Sequence, residues 1–239
     1  MRRVDDLQLS GLRLIQETDD FCFGVDAVLL AHFAQVKRTA RVLDLCTGNG
    51  IVPLLLWGKW RPKEICGLEI AEEAAAMAAE SVELNNLADC ITITCGDLKN
   101  ARALYSGSFD VITCNPPYYK KGAGLMNPSD KKAAARHELF CTLEDIAAVS
   151  SRLLAPGGKL CLVHKPERLA DIFCLLRAYR LEPKRLQMVH PRPQAPPNLV
   201  LVEAALGQGP FLKTAEPIYV YGEDGCYSAQ INQIYERKE

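Results

Sequence analysis

The 239-residue sequence predicts an α/β fold: a doubly wound, mostly parallel seven-stranded sheet that follows a short strand and helix extension. Two observations predict this class. Strand-length apolar runs alternate with helix-length segments through residues 41–118, which is typical of a parallel sheet with helices on both faces. Three consecutive runs in that region also end at or near an acidic residue. We expect a single domain, in which residues 1–40 form an extension packed on the core of residues 41–239.

The N-terminal extension is predicted to contain two short strands and one helix. Residues 1–16 have the pattern of short strands, with alternating leucines at residues 7–9 and 12–14. Asp26 is interpreted as the N-cap of a helix over residues 27–36, because a carboxylate there can accept a backbone N–H that the first turn leaves free. A position at the mouth of a ligand site is the alternative for Asp26.

The remaining elements follow from apolar runs bounded by Gly, Pro and Asn. Thr142 and Asp145 have the spacing of a capping box and open a helix that Pro156-Gly157-Gly158 ends. Residues 119–137 are polar and long for a connection within a compact domain, which indicates a functional segment. Strands are predicted at residues 41–45, 64–69, 91–95, 109–114, 159–164, 186–190, 199–205 and 218–221, and helices at 51–57, 72–86 and 167–179.

A glycine-rich turn joins the first core strand to its helix. In residues 46–50, Cys-Thr-Gly-Asn-Gly, the glycines let the backbone approach a ligand closely and adopt positive φ. Glu69 ends the next strand 21 positions after Gly48, close to the roughly 20-residue spacing of a carboxylate that binds ribose hydroxyls. The turn and this acid therefore predict a cofactor that contains a nucleoside.

The acids at this predicted edge favour a cationic cofactor over a diphosphate. Asp44 precedes the turn, Glu69 ends the second strand, and Asp97 follows the third. Cys46 stands where the pyrophosphate-binding pattern has its first glycine, and the third glycine is absent. A sulfonium group carries positive charge and no phosphate, so carboxylates attract it. Each acid has an ordinary alternative: hydrogen bonds to turn N–H groups for Asp44, solvation for Glu69, and a cap or turn for Asp97.

Asn115-Pro116-Pro117-Tyr118 follow the fourth core strand. The prolines stop that strand, because each fixes φ and lacks an N–H. The Asn side-chain oxygen and the adjoining carbonyl can accept both N–H bonds of a planar NH2 group, and a Tyr ring can stack on a flat substrate. The tetrapeptide therefore favours methyl transfer to an amide or an exocyclic base nitrogen, with an ordinary Pro-Pro turn as the alternative.

Together these motifs resemble those of the class I S-adenosylmethionine-dependent methyltransferases, which have a Rossmann-like fold. Residues 44–50 resemble their cofactor loop, apart from Cys46 in place of the commoner Gly, and residues 115–118 resemble their amino-methylating (D/N)PP(Y/F/W) motif. The resemblance implies that residues 41–239 are the methyltransferase domain and that S-adenosylmethionine is the cofactor. It implies catalytic roles for Asn115, Pro116, Pro117 and Tyr118, and cofactor contacts for Asp44, Thr47, Gly48, Gly50, Glu69, Ile70, Asp97, Leu98 and Asn115.

Further stretches resemble the bacterial tRNA1(Val) adenine N6-methyltransferase family. This resemblance implies methyl transfer to the exocyclic N6 amine of the adenine next to the anticodon of tRNA. Other amino acceptors remain open: guanine N2 of ribosomal RNA, adenine of DNA, or a protein glutamine amide. A non-catalytic RNA-binding protein that binds the cofactor is a further alternative, although such a protein would not need the tetrapeptide. The stretches that carry this resemblance are Gln16 and residues 21–31, 135–138, 154–158 and 163–168.

Charge is distributed unevenly along the chain. Residues 120–200 contain 14 Lys and Arg against 7 Asp and Glu, whereas the whole chain has a formal net charge of −1. A basic second half fits the docking of a polyanion such as tRNA, with the segment 119–137 as a lid or an RNA clamp. Ordinary solvated surface is the alternative. The predicted RNA contacts are Lys120, Lys121, Lys131, Lys132 and Arg136.

Several functional classes have no support in the sequence. The ten cysteines form no C-x-x-C pair, and they indicate small buried hydrophobes in a reducing cytoplasm. No two of the four histidines have metal-ligand spacing, so we expect no metal. No G-x-S-x-G elbow supports hydrolase chemistry. The N-terminus lacks a secretory apolar region and no run is long enough to span a membrane, which predicts a cytoplasmic enzyme.

Overall fold

The computed structural model describes residues 2–17, 24–117 and 141–236. Its strands are β1 Arg2–Asp6, β2 Arg13–Glu17, β3 Arg41–Leu45, β4 Glu64–Glu69, β5 Ile91–Cys95, β6 Phe109–Cys114, β7 Leu154–His164, β8 Leu181–His190, β9 Leu199–Leu206, β10 Lys213–Thr214 and β11 Ile218–Tyr219. Its α-helices are α1 Val25–Ala34, α2 Ile51–Trp60, α3 Glu72–Leu84, α4 Ala101–Leu104, α5 Leu143–Leu153, α6 Leu169–Ala178 and α7 Ala229–Ile234.

The main sheet has the predicted α/β, mostly parallel organisation. Its order is β10-β8-β9-β7-β6-β3-β4-β5, with β11 also paired to β8. Every pairing is parallel except those of β9, which runs antiparallel to β7 and β8. The seven longer strands form the predicted sheet, and the two-residue strands β10 and β11 flank β8. The strand order reverses between β3 and β6, a topology that creates a ligand-binding crevice at their carboxyl ends.

Helices cover both faces of this sheet, so the fold is doubly wound. One core cluster contains residues of α1, α2 and α7, and the other contains residues of α4, α5 and α6. Successive residues of β3 alternate between the two cores: Val42 belongs to the first and Leu43 to the second. This alternation follows from the two-residue period of a strand.

The four strands that lead to the crevice were predicted at their observed bounds. β3, β4, β5 and β6 match the predicted residues 41–45, 64–69, 91–95 and 109–114. Each is a short, mostly apolar run between turn residues, the pattern of a strand buried on both faces. Helix α3 stops at Asn85, and Asn86 has a positive φ of 55°, as the predicted Asn-Asn stop requires.

The N-terminal extension differs from its prediction in two places. Residues 7–9 form no strand, because they lie in the connection between β1 and β2, where Leu7 and Leu9 are buried. Their alternation arises from packing on α2, where a Cβ on Gly58 would stand 2.7 Å from Leu9. The predicted cap at Asp26 is also wrong. Helix α1 begins at Val25 with Gly24 as its N-cap, and Asp26 lies within the first turn, where its Oδ1 accepts from the backbone N–H of Ala27.

In the second half of the chain, the capping box at Thr142 and Asp145 is confirmed as the start of α5. Strand β7 begins at Leu154, five residues before the predicted start, because Leu154 pairs with Phe109 ahead of a register shift that spans Pro156-Gly157-Gly158. The predicted helix end at these three residues is therefore wrong, since α5 ends at Leu153. The predicted helix over residues 167–179 is a 3-10 turn, Pro166–Arg168, followed by α6. Predicted strands 186–190 and 199–205 are observed as the longer β8 and β9, and residues 218–221 as the shorter β11.

Nine described cysteines are free thiols, and their surroundings differ. Cys66, Cys114 and Cys161 are buried as expected, whereas the same expectation is wrong for Cys95, Cys174 and Cys226, which are exposed. Within the described ranges, no three His, Cys, Asp or Glu side chains are placed to hold a metal ion. None of the helices in these ranges has the length and apolar character of a membrane span.

Candidate active site

The carboxyl ends of β3, β4, β5 and β6 form one edge of the sheet. Register pairs Leu45 of β3 with Leu68 on one side and with Cys114 on the other, and pairs Glu69 with Cys95. The turn after β3, the acid at the end of β4 and the tetrapeptide after β6 are therefore neighbours. The structure thus brings together residues that are up to about 70 positions apart in sequence.

Asp44 lies at the centre of this edge and is almost fully buried. Its two oxygens accept hydrogen bonds from two hydroxyls: Thr47 Oγ1 and Thr113 Oγ1 each lie 2.6 Å from the carboxylate. These bonds link β3 to the following turn and to β6. Burial raises the pKa of Asp44 to about 7, although the two hydroxyls counter the shift. A cation at this edge would favour the ionised form and be attracted by it.

The turn of residues 46–50 adopts the conformation that its glycines permit. Gly48 and Gly50 have φ of 56° and 84°. A Cβ on Gly50 would stand 3.0 Å from the Cβ of Ala78, so this glycine is required by close packing on α3. A Cβ on Gly48 would meet no atom within 4 Å, so this part of the turn borders open space. Cys46 also has a positive φ, 58°, which is uncommon for a residue with a side chain.

Glu69 holds the turn from the neighbouring strand. Its Oε2 accepts the backbone N–H of Gly48 at 2.8 Å, and its Oε1 accepts that of Ala71 at 3.0 Å. The side chain is 5% exposed, so it is not a solvated strand end. Ile70 follows it and is half-buried. Glu69 therefore shapes the turn, and its contact with the ribose of a cofactor stays a prediction.

Asp97 and Leu98 follow β5 at the same edge. Asp97 caps the 3-10 turn Leu98–Asn100, with its Oδ1 accepting the backbone N–H of Lys99 at 2.9 Å. This is the cap that was the ordinary alternative for Asp97, and it engages one of the two carboxylate oxygens. Leu98 is buried and belongs to the core shared with α5 and α6.

These residues fit S-adenosylmethionine better than a dinucleotide. Three carboxylates, Asp44, Glu69 and Asp97, lie along the edge, where they would attract the sulfonium charge and accept from ribose hydroxyls and an adenine amine. The open face of Gly48 offers the space that a ligand needs against the backbone. In contrast, the N–H of Gly48, which a phosphate would require, already bonds to Glu69.

Asn115, Pro116 and Pro117 lie directly beyond the end of β6. Cys114 pairs with Leu45, so Asn115 follows the strand end beside the turn at Cys46. Asn115 and Pro117 are partly buried and Pro116 is buried. Tyr118, Lys120, Lys121, Lys131, Lys132 and Arg136 lie outside the described residues.

The structure adds two polar residues that were not assigned to the site. Thr113 ties β6 to Asp44, and its only signal in the sequence is a hydroxyl inside an apolar strand. Gln16 of β2 is 1% exposed and its Oε1 lies 3.4 Å from the Nδ2 of Asn49 in the turn, while its Nε2 donates to Asp5. The N-terminal extension therefore supports the turn from outside, a contact that only the family resemblance at Gln16 could have indicated.

Comparison with known proteins agrees with this geometry. The model of the methyltransferase small domain family matches residues 24–172. The tRNA1(Val) (adenine(37)-N6)-methyltransferase of Porphyromonas gingivalis is 30% identical over 225 residues, which cover 89% of this chain and 86% of the relative. The enzyme of the same name from Aeromonas salmonicida is 32% identical over 212 residues, covering 88% and 87%.

Among solved structures, a protein described as a predicted O-methyltransferase from Agrobacterium tumefaciens has the same fold. The TM-score is 0.71, with 22% sequence identity, and the match covers 88% of this chain and 95% of that one. At this identity the likeness concerns the fold alone.

Proposed function

The chain belongs to the methyltransferase small domain family and is an S-adenosylmethionine-dependent methyltransferase, and from this premise we propose that it methylates the N6 amine of an adenine in tRNA. The proposed acceptor is the adenine next to the anticodon of tRNA1(Val), as in the relatives named above. A cytoplasmic location follows from that substrate. One observation carries the proposal: Asn115-Pro116-Pro117 lie beside the turn of residues 46–50, at the carboxyl edge of one sheet.

The cofactor would be held by the turn and the acids of this edge. Gly48 and Gly50 allow close approach, Glu69 and Asp97 accept hydrogen bonds, and Asp44 stabilises positive charge. When bound, S-adenosylmethionine supplies an activated methyl group whose departure from sulfur leaves a neutral thioether.

The acceptor amine would be held by Asn115 and Pro116. The lone pair of an adenine N6 is delocalised into the ring, so this nitrogen is a poor nucleophile. Hydrogen bonds from its two N–H groups to Asn115 Oδ1 and to the Pro116 carbonyl would orient it and raise its negative charge as the new bond forms. Catalysis then rests on alignment of the amine with the methyl group.

One feature of the neighbouring chain and one of the RNA support an unpaired base as substrate. Tyr118 follows the prolines, and a ring that stacks on a base contributes about 1–3 kcal/mol. A base in an anticodon loop is unpaired, so extruding it costs less than flipping one out of a duplex.

The proposal is tested with methyl-labelled S-adenosylmethionine and total tRNA that lacks N6-methyladenosine. After digestion to nucleosides, we expect label in N6-methyladenosine. Purified tRNA1(Val) and the same tRNA with its anticodon-adjacent adenine replaced by guanine form the matched pair, and only the first is expected to accept label. Label in another nucleoside, or none in tRNA while the cofactor binds, would contradict the assigned acceptor.

A further inference from the structure

Three thiols from distant parts of the sequence meet beside the proposed active site. Cys46 opens the turn after β3, Cys114 ends β6, and Cys141 precedes Thr142, the N-cap of α5. The Sγ atoms of Cys46 and Cys141 lie 3.5 Å apart, and the Cys114 thiol is near enough to Cys46 to affect its pKa. We call these three residues the thiol cluster. Neither the cofactor site nor the acceptor site uses its sulfur atoms.

The two sulfur atoms in contact belong to residues whose following neighbours are anchored. Thr142 is anchored by its capping box with Asp145, in which each residue bonds to the other's backbone N–H. Thr47 is anchored by its backbone N–H, which bonds to Leu68 O at 3.1 Å, and by its hydroxyl on Asp44. Cys46 and Cys141 therefore face each other as a property of the fold.

The members of the cluster differ in access. Cys46 and Cys141 are partly exposed, whereas Cys114 is fully buried. The residues Cys46 and Cys141 are therefore nearer to solvent than Cys114, and an oxidant would meet them first. The contact distance of 3.5 Å exceeds a disulfide bond of about 2.0 Å, so bond formation would draw the turn and the start of α5 together.

We propose that Cys46 and Cys141 are a redox modification site, at which a small disulfide such as oxidised glutathione forms a reversible intramolecular disulfide that disrupts cofactor binding. One cysteine, as thiolate, attacks the oxidant, forms a mixed disulfide and releases one small thiol. The second cysteine attacks the protein-bound sulfur and releases the other small thiol. The protein loses two electrons and two protons, and the oxidant disulfide is reduced to two thiols.

The effect of the disulfide on cofactor binding follows from the position of Cys46 at the start of the turn. The turn that would shift contains Thr47 and Gly48, which bond to Asp44 and Glu69. The shift would also disturb the contact of Cys46 with Cys114, the residue before Asn115. We expect cofactor affinity to fall at least tenfold on oxidation and to recover with dithiothreitol.

The surroundings of the cluster set the rate of this reaction. Burial raises the pKa of Cys114 to about 11, and contact with neighbouring sulfur atoms together with burial also raises the pKa values of Cys46 and Cys141. These thiols are therefore protonated at neutral pH. Because the thiolate is the attacking species, the rate of disulfide formation should rise about tenfold between pH 7 and pH 8.

Peptide mapping gives a test that is independent of the methyl acceptor. Tryptic cleavage at Arg41, Lys59, Arg136 and Arg152 places Cys46 and Cys141 in separate peptides with no other cysteine. After treatment with oxidised glutathione at pH 8, mass spectrometry without reduction should find these two peptides joined. Cofactor affinity, measured by calorimetry on the same sample, should fall at least tenfold.

Variants at two cysteines complete the test. Cys141→Ser and Cys141→Ala should keep the affinity of the reduced protein and lose its sensitivity to oxidant. Cys174→Ser, at an exposed cysteine of α6, is the matched control and should remain sensitive. The proposal is overturned if the joined peptides do not form, if they form without loss of affinity, or if both Cys141 variants respond to oxidant as the unmodified protein does.

Discussion

The two halves of the active-site edge are fixed by different means. At the cofactor half, Asp44, Glu69 and Asp97 each accept hydrogen bonds from nearby hydroxyls or backbone N–H groups. At the acceptor half, Pro116 and Pro117 have no N–H, and their rings fix the backbone covalently. The first half thus depends on hydrogen bonds and on ionisation, whereas the second depends on covalent geometry and on the amide of Asn115.

This difference predicts which properties can be changed separately. Variants of the acids should alter cofactor affinity, the conformation of the turn and the pH dependence of stability. A variant of the amide should alter transfer more than cofactor affinity, because Asp44 of β3 and Glu69 of β4 bond to the turn. Thr113 is the link between the halves, since it lies in β6 and bonds to Asp44.

The largest effect is expected from Asn115→Ala. Loss of a side-chain acceptor that holds the reacting group lowers kcat by about 10²–10³-fold. Cofactor affinity should change less than threefold, because Asp44 and Glu69 remain. Kinetics of labelled methyl transfer and calorimetry of cofactor binding measure the two quantities. Asn198→Ala, at an exposed amide, is the matched control, and wild-type turnover in Asn115→Ala would remove the assigned role.

A second effect concerns the pH dependence of stability at Asp44. Burial raises the pKa of Asp44 from 3.8 to about 7, so the folded protein binds this proton more tightly than the unfolded chain. Stability from this group is therefore lost as pH rises from about 4 to 7. Asp44→Asn removes this titration. The free energy of unfolding of the variant minus that of wild type should therefore be about 3 kcal/mol larger at pH 8 than at pH 5.

Denaturant titrations of both proteins, without cofactor, at pH 5 and pH 8 measure this difference. Equal differences at the two pH values would show that Asp44 has the same pKa in the folded and unfolded states. That result would contradict the account of a desolvated carboxylate at the cofactor half.

A third prediction compares the effects on cofactor affinity of Glu69 and of Glu64, an acid on the same strand. In Glu69→Gln, one oxygen remains for the N–H groups of Gly48 and Ala71, so the turn loses a hydrogen bond to a charged group. Cofactor affinity should fall about tenfold to a hundredfold. Glu64→Gln, at the opposite end of β4 and paired with Arg41, should leave it unchanged. Equal losses in the two variants would indicate a general effect on the strand.

The smallest effect per residue is expected from the lysines of the segment after Tyr118. We expect a weaker salt dependence of RNA binding when Lys120, Lys121, Lys131 and Lys132 are replaced by Ala. The slope of the logarithm of the binding constant against the logarithm of salt concentration should fall in magnitude by about 0.7 for each phosphate that the variant no longer neutralises. Lys37 and Lys63 are exposed before β3 and β4, at the amino edge, and their Ala variants are the control. An unchanged slope in the fourfold variant, measured by filter binding, would exclude a phosphate role.

The core and the cofactor half were predictable because their signals are local. Strands β3 to β6 are short apolar runs, the turn after β3 contains its glycines, and Glu69 lies at a recognisable spacing. Their meeting point follows from parallel topology. The site roles of these residues remain predictions, since they rest on proximity, electrostatics and resemblance.

The contacts between distant segments were not predictable from patterns of this kind. Gln16 touches Asn49, and Cys46 touches Cys141, across 33 and 95 positions. No periodic pattern of apolar residues in the sequence indicates that such distant residues are in contact. Residues 7–9 show the reverse case, since a connection that buries alternate leucines has the pattern of a strand. Strands β10 and β11 have two residues each and exist through their pairing with β8.

The most direct test of the account is a crystal structure of the protein with S-adenosylhomocysteine, the product that the cofactor leaves. We predict that the ribose hydroxyls lie within hydrogen-bond distance of Glu69, that the adenine lies beside Asp97 and Leu98, and that the sulfur faces Asn115. A nucleoside bound away from the carboxyl ends of β3, β4 and β5, or a sulfur atom remote from Asn115, would contradict the central claim.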